Sequence, residues 1–165
     1  MKNRLQHIIT QVLQEEKILV PRHLETRDEE YKRIVYQKIQ DYIKEGSKGD
    51  LNLPRSPITK LPGNLVKVGG FLNLERSQIQ SLNNLRIVEG DLWLGNSQIQ
   101  SLGNLKFVGE DLYLYDTFLK SLGNLQKIGG ELHVEHTFFS KKYSKEEILQ
   151  MVKDKGIEVK GKIYI

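Results

Sequence analysis

The residues best suited to chemistry lie in the second half of the chain, where aromatic side chains and carboxylates recur side by side. Glu131, His133 and Glu135 alternate, so on a strand they share one face, and with His136 close by they pose the question of a metal site. His136 falls beyond the end of that face, and one imidazole between two carboxylates is an ordinary surface ion pair, so no metal and no cofactor are expected. Covalent catalysis finds no support either. There is no cysteine, Ser140 and Ser144 have no evident base, and neither a Gly-x-Ser-x-Gly elbow nor a phosphate loop occurs, so the chain is not expected to be an enzyme.

What remains is the chemistry of recognition. Trp93, Tyr113 and His133 are spaced by twenty residues, as are Asp91, Asp111 and Glu131, with Phe71 and Asn73 standing one copy earlier and Tyr115 and Glu135 in the column that follows. Aromatic rings set between carboxylates offer apolar area to bury and charge that selects a basic protein partner. Stacked rings also stabilise parallel strands with no partner at all. The binding reading is preferred because the only tryptophan occupies an outward strand position. Rings flanked by carboxylates suit sugars too, which leaves carbohydrate binding on Trp93 and Tyr113 as an alternative.

These residues are placed by a repeat. Leu72, Leu92, Leu112 and Leu132 form one column and Leu74, Leu94, Leu114 and Val134 the next; Ser77, Ser97, Thr117 and Thr137 follow, then Ile79, Ile99, Leu119 and Phe139. Leu82, Leu102 and Leu122, and Asn84, Asn104 and Asn124, complete the unit, and an earlier copy runs from Leu51 to Val68. A period near twenty means a solenoid whose units stack because none can bury its apolar face alone. Leu-x-Leu has the alternation of a half-buried strand, and the hydroxyl after it sits where the chain turns inward. The apolar positions beyond are spaced by three, which suits a 3₁₀ or extended return better than an α-helix. Gly69-Gly70, Gly90, Gly109 and Gly129-Gly130 then allow tight re-entry, by backbone freedom or by lack of a side chain.

With those columns in view, Leu92-x-Leu94-x-x-Ser97-x-Ile99 resembles the Leu-x-Leu-x-x-Asn-x-Leu signature of the leucine-rich repeat family, with Ser or Thr in place of Asn. The return, Ser101 to Gly109 running into Asp111-Leu112, looks like the repeats of receptor L-type domains and of the short proteins encoded by large phages and giant viruses. The resemblance covers residues 49–139. It implies an α/β fold, a short solenoid with one parallel β-sheet, and a module that binds proteins, here a phage or viral factor engaging a host protein. A structural role in a virion or other assembly is the alternative.

The flanks have the pattern of caps, giving a helical cap over 1–48, the repeat array over 49–139 and a helix-plus-strand cap over 140–165. Leu5, Ile8, Ile9, Val12 and Leu13 predict a first helix over 3–17, as a cap or as a docking helix. Thr26 with Glu29 predicts a capping box for a second helix running to Gly46, and Ser144 with Glu147 another for a helix ending at Gly156. Lys162-Ile163-Tyr164-Ile165 repeats the strand pattern and is expected to pair beside Leu132 and Val134, sealing the open edge.

The formal charge of +4 belongs to these flanks: residues 49–139 carry eight basic and nine acidic side chains, whereas 140–165 carry seven and four. A nucleic-acid binder is expected to put basic and aromatic residues on its main face, so neither nucleic acid nor membrane is expected as a partner, and the terminal lysines read as a solvated surface. Lack of cysteine, of an apolar leader and of any long apolar run leads to the expectation of a cytoplasmic, monomeric protein.

Overall fold

The computed structural model describes residues 26–165; the helix expected over 3–17 lies outside the described residues. The first element is helix α1 (Arg27–Lys44). Its capping box forms as the sequence requires: the Thr26 N–H donates to the Glu29 carboxylate at 2.8 Å, and the Glu29 N–H donates to the Thr26 hydroxyl at 3.3 Å. Val35, Ile39 and Tyr42 form its buried face, packed into the core of the coils that follow.

Those coils make a parallel β-solenoid. One sheet has six strands, β1 (Leu51–Asn52), β3 (Leu72–Asn73), β5 (Leu92–Trp93), β7 (Leu112–Tyr113), β9 (Leu132–His133) and β11 (Ile163–Tyr164), in that spatial order. The leucine column sets the register, with Leu51 opposite Leu72, Leu72 opposite Leu92, Leu92 opposite Leu112 and Leu112 opposite Leu132. The expectation of a single sheet is corrected by a second, five-stranded parallel sheet on the return path: β2 (Lys67–Val68), β4 (Ile87–Val88), β6 (Phe107–Val108), β8 (Lys127–Ile128) and β10 (Glu158–Val159). The return is therefore extended. Its apolar residues three apart face inward because a turn at Asn83-Asn84, and its counterparts in other coils, separates Leu82 from Leu85. β-branched residues such as Ile87, Val88 and Val108 favour the extended geometry beyond. Bridges between Lys60 and Ser81, and between Ser101 and Ser121, join the third side of the coil.

Leu72, Leu92, Leu112 and Leu132, with Leu74, Leu94, Leu114 and Val134, are wholly buried and form the spine of the core. Ser56, Ser77, Ser97, Thr117 and Thr137 are buried at the turn. Thr117 and Thr137 donate to the carbonyls of Leu114 and Val134 at 2.7 and 2.9 Å, closing the turn within their own coil. The residue just before each hydroxyl, Arg55, Arg76, Asn96, Asp116 and His136, takes φ between 53° and 57°. The tight conformation thus falls on non-glycine residues. Re-entry glycines serve the other purpose: a Cβ at Gly109 or Gly129 would strike the carbonyl oxygen of Glu89 or Gly109 in the preceding coil.

The two ends differ. At the first, α1 lies across the coil: Lys38 Nζ donates to the Asn52 carbonyl at 2.8 Å, and the Tyr42 hydroxyl donates to the Gly49 carbonyl while accepting the Gly69 N–H. At the other, Thr137 caps the short helix α2 (Phe138–Lys142), and Ser144 and Glu147 form the expected capping box of α3 (Lys145–Asp154), which buries Ile148 and Val152. β11 pairs with β9 in the expected register, Ile163 opposite Leu132 and Tyr164 opposite His133. Among the described residues it is the outermost strand, however, so it lengthens the sheet and does not seal its edge. Among the described residues no helix is long and apolar enough to cross a membrane.

Candidate recognition surface

Parallel register at one residue per coil brings the outward middle positions of the long sheet into line, and their rings meet. Phe71 stacks on Trp93 with centroids 5.6 Å apart and planes 12° from parallel. Trp93 meets Tyr113 edge to face at 6.1 Å and 82°. Tyr113 stacks on His133 at 4.7 Å, and His133 on Tyr164 at 4.4 Å and 5°. Five rings from five coils thus form one ladder, with neighbouring centroids 4.4 to 6.1 Å apart. Phe71 belongs by sequence to the neighbouring column, yet its ring packs on Trp93 where Asn73 leaves room. Asn73 itself is only 7% exposed, and its side-chain oxygen accepts the Glu75 N–H at 2.9 Å. It alternates with the buried Leu72 and Leu74 and so stands on the outward side of its strand, with its side chain folded against the Glu75 backbone and covered from solvent.

The carboxylate column runs beside the ladder. Asp50 accepts the Phe71 N–H at 3.0 Å, Asp91 the Asp111 N–H at 2.9 Å, and Asp111 the Glu131 N–H at 2.7 Å, each reaching into the next coil. Gly130 leaves the space that Asp111 occupies, since a Cβ there would meet the Asp111 carboxylate. The Tyr113 hydroxyl donates to the second oxygen of Asp111 at 3.0 Å, and the Tyr164 hydroxyl to Glu131 at 3.3 Å. All these donors are neutral. Among the described residues Asp50, Asp91 and Asp111 take part in no ion pair. Burial, the hydrogen bond to Asp111 and the charges of Asp111, Asp91 and Glu131 together push the Tyr113 hydroxyl up to about 12.

His133 is flanked on both sides, its Nε2 lying 3.4 Å from Glu131 and its Nδ1 3.2 Å from Glu135. This is the expected carboxylate–imidazole grouping, and among the described residues no three His, Asp or Glu side chains are placed to hold a metal. Tyr115 occupies the neighbouring column. Its ring covers Gly95, where a Cβ would come within 2.5 Å of it, and its hydroxyl donates to Glu75 at 3.2 Å, two coils away.

The arrangement brings together Phe71, Asp91, Trp93, Asp111, Tyr113, Glu131, His133 and Glu135, with Tyr115 along one border. It adds Tyr164, whose membership depended on the register of the last strand, and Asp50 and Glu75, whose columns were visible but whose bonding partners were not. Comparison with protein-family models, with curated proteins and with solved structures gave no match to this chain.

Proposed function

We propose that the chain is a capped solenoid of the leucine-rich repeat type that recognises a partner protein through the outward face of its six-stranded sheet, and that it carries no catalysis of its own. The observation that supports this most is the column of carboxylates held only by neutral donors beside a continuous ladder of rings. Asparagine could accept the same N–H groups without charge. Like charges on adjacent strands, roughly 4.8 Å apart, destabilise the array, and a basic partner offsets that repulsion on binding. The rings supply apolar area, and because their neighbours already hold them, association orders few side chains.

A second reading, docking into a larger assembly, draws on the far end of the sheet. There, among the described residues, β11 has no strand beyond it, and Tyr164, 36% exposed, ends the ladder. Site-specific photocrosslinking separates the two. With a photoreactive phenylalanine analogue in place of Tyr113, Tyr164 or Gln98, recognition through the face yields a heterologous adduct from Tyr113 and none from Gln98. Adducts confined to Tyr164 and made of the chain itself contradict the recognition reading and favour assembly.

A further inference from the structure

A second surface, separate from the strand face, lies on the side of the coil that follows the buried hydroxyls. The column there reads Pro57, Gln78, Gln98, Phe118 and Phe138. The last two rings are 54% and 48% exposed, and their coils are joined by the Phe138 N–H donating to the Thr117 carbonyl at 3.2 Å. Thr137 accepts the Ser140 N–H at 2.9 Å and starts α2 at Phe138, so Lys141 and Lys142, three and four residues on, share the side of the helix that Phe138 occupies. Lys120 Nζ stands 5.9 Å from the centre of the Phe138 ring. None of these three lysines forms an ion pair among the described residues; the acidic residues nearest in sequence are Asp116 and Glu146.

Phenylalanine offers no hydrogen bond, so whatever covers these rings must supply apolar volume. The Lys120 ammonium beside them, with Lys141 and Lys142 on the adjoining helix and the latter 5.0 Å over the Tyr143 ring, calls for anionic oxygen a few ångströms away. On the strand face, by contrast, four of the five rings carry a polar atom. Against the expectation from charge alone that no membrane is a partner, we propose that the corner formed by Phe118, Phe138, Lys120, Lys141 and Lys142 docks on an anionic lipid bilayer, the two rings entering the boundary between headgroups and acyl chains and the lysines lying among the phosphates. The adjoining Gln78 and Gln98 are uncharged and do not oppose this approach. The contact is peripheral and leaves the strand face available to a protein partner.

The test is co-sedimentation of the full chain with vesicles of phosphatidylcholine alone and of phosphatidylcholine and phosphatidylglycerol in equal parts. Phe118→Ser with Phe138→Ser, Lys120→Gln with Lys141→Gln and Lys142→Gln, and a Gln78→Ser, Gln98→Ser control are compared after circular dichroism shows each to be folded. If the double phenylalanine variant does not fold, Phe118→Ser alone takes its place. The expected result is binding only to the anionic vesicles, weakened by salt, unchanged in the control and reduced at least about tenfold in either variant set. Absence of binding at low salt, or binding indifferent to the phenylalanines, overturns the proposal. So does phenylalanine-dependent binding of an oligothymidylate or an acidic peptide without binding of vesicles, which assigns the surface to that other partner.

Discussion

The hydroxyl of Tyr115 lies 3.2 Å from the carboxylate of Glu75, forty residues and two coils away, and the ring between them rests on the bare backbone of Gly95. One residue thus ties three consecutive coils together along the border of the strand face. Gly95→Ala places a methyl group against that ring, which must move or rotate. We expect a loss of about 1–3 kcal/mol, the usual range for overpacking. Tyr115→Phe keeps the packing and removes only the hydrogen bond, so its loss should be about 0.5–1.5 kcal/mol. Equilibrium denaturation of both variants checks the order; equal stabilities for Gly95→Ala and the parent contradict it.

Tyr113 gives a pH prediction with a definite sign. Its folded-state value is raised to about 12 from 10.0, first by burial and then by Asp111, so the folded chain holds this proton more tightly than the unfolded chain. That contribution to stability is fully present below pH 10 and is lost as the pH rises through about 12. Burial also raises Tyr36, Tyr42 and Tyr115, so the test is a difference: ultraviolet titration should show one fewer late-ionising tyrosine in Asp111→Asn than in the parent, as Tyr113 moves back toward its ordinary value. A titration unchanged by Asp111→Asn contradicts the role given to that carboxylate.

The caps can be weighed separately from the array. Ser144 holds the Glu147 N–H and Glu147 holds the Ser144 N–H at 2.8 Å, at the start of a helix that buries Ile148 and Val152. Ser144→Ala should cost about 1 kcal/mol, and Thr26→Ala a similar amount at α1. Thermal melts of the single and double variants should add, because the two caps lie at opposite ends of the solenoid.

Close stacking leads to a stronger effect at the re-entry positions. Gly129→Ala drives a methyl group into the carbonyl of Gly109, and backbone cannot swing aside as a side chain can. We expect loss of the cooperative unfolding transition or a large fall in its midpoint, read by circular dichroism. The same substitution at Gly103, where a Cβ meets nothing within 4 Å but φ is +54°, should cost only the smaller penalty of a strained backbone.

Much of this was legible in the sequence. The columns of Leu72, Leu92, Leu112 and Leu132 predict the parallel register, because each coil must present its leucine to the same core. The capping boxes at Thr26 and Ser144 were visible as residue pairs three apart. The second sheet was not: spacing by three in Leu82, Leu85 and Val88 is shared by a 3₁₀ turn and by an extended return broken by a turn, and periodicity alone does not separate them. Nor was the burial of Asn73, which follows from its side chain folding back on Glu75 while the ring of Phe71 leans across from the next column. The left-handed residues escaped notice because glycine is the usual signal for them, and here Arg76, Asn96 and Asp116 take that conformation. Likewise Phe118 and Phe138 hold outward positions that only the stacked coils expose together.

The most direct measurement is affinity capture of a partner with three forms of the protein, all shown to be folded: the parent, Trp93→Ala with Tyr113→Ala, and Gln78→Ala with Gln98→Ala. If the strand face is the recognition surface, one protein is retained by the parent and by the glutamine variant, is lost from the ladder variant, and binds the purified parent at least about tenfold more tightly than the ladder variant. Retention of the same proteins by all three forms, with equal affinity, contradicts it and leaves the rings of Trp93 and Tyr113 as a stabilising ladder alone.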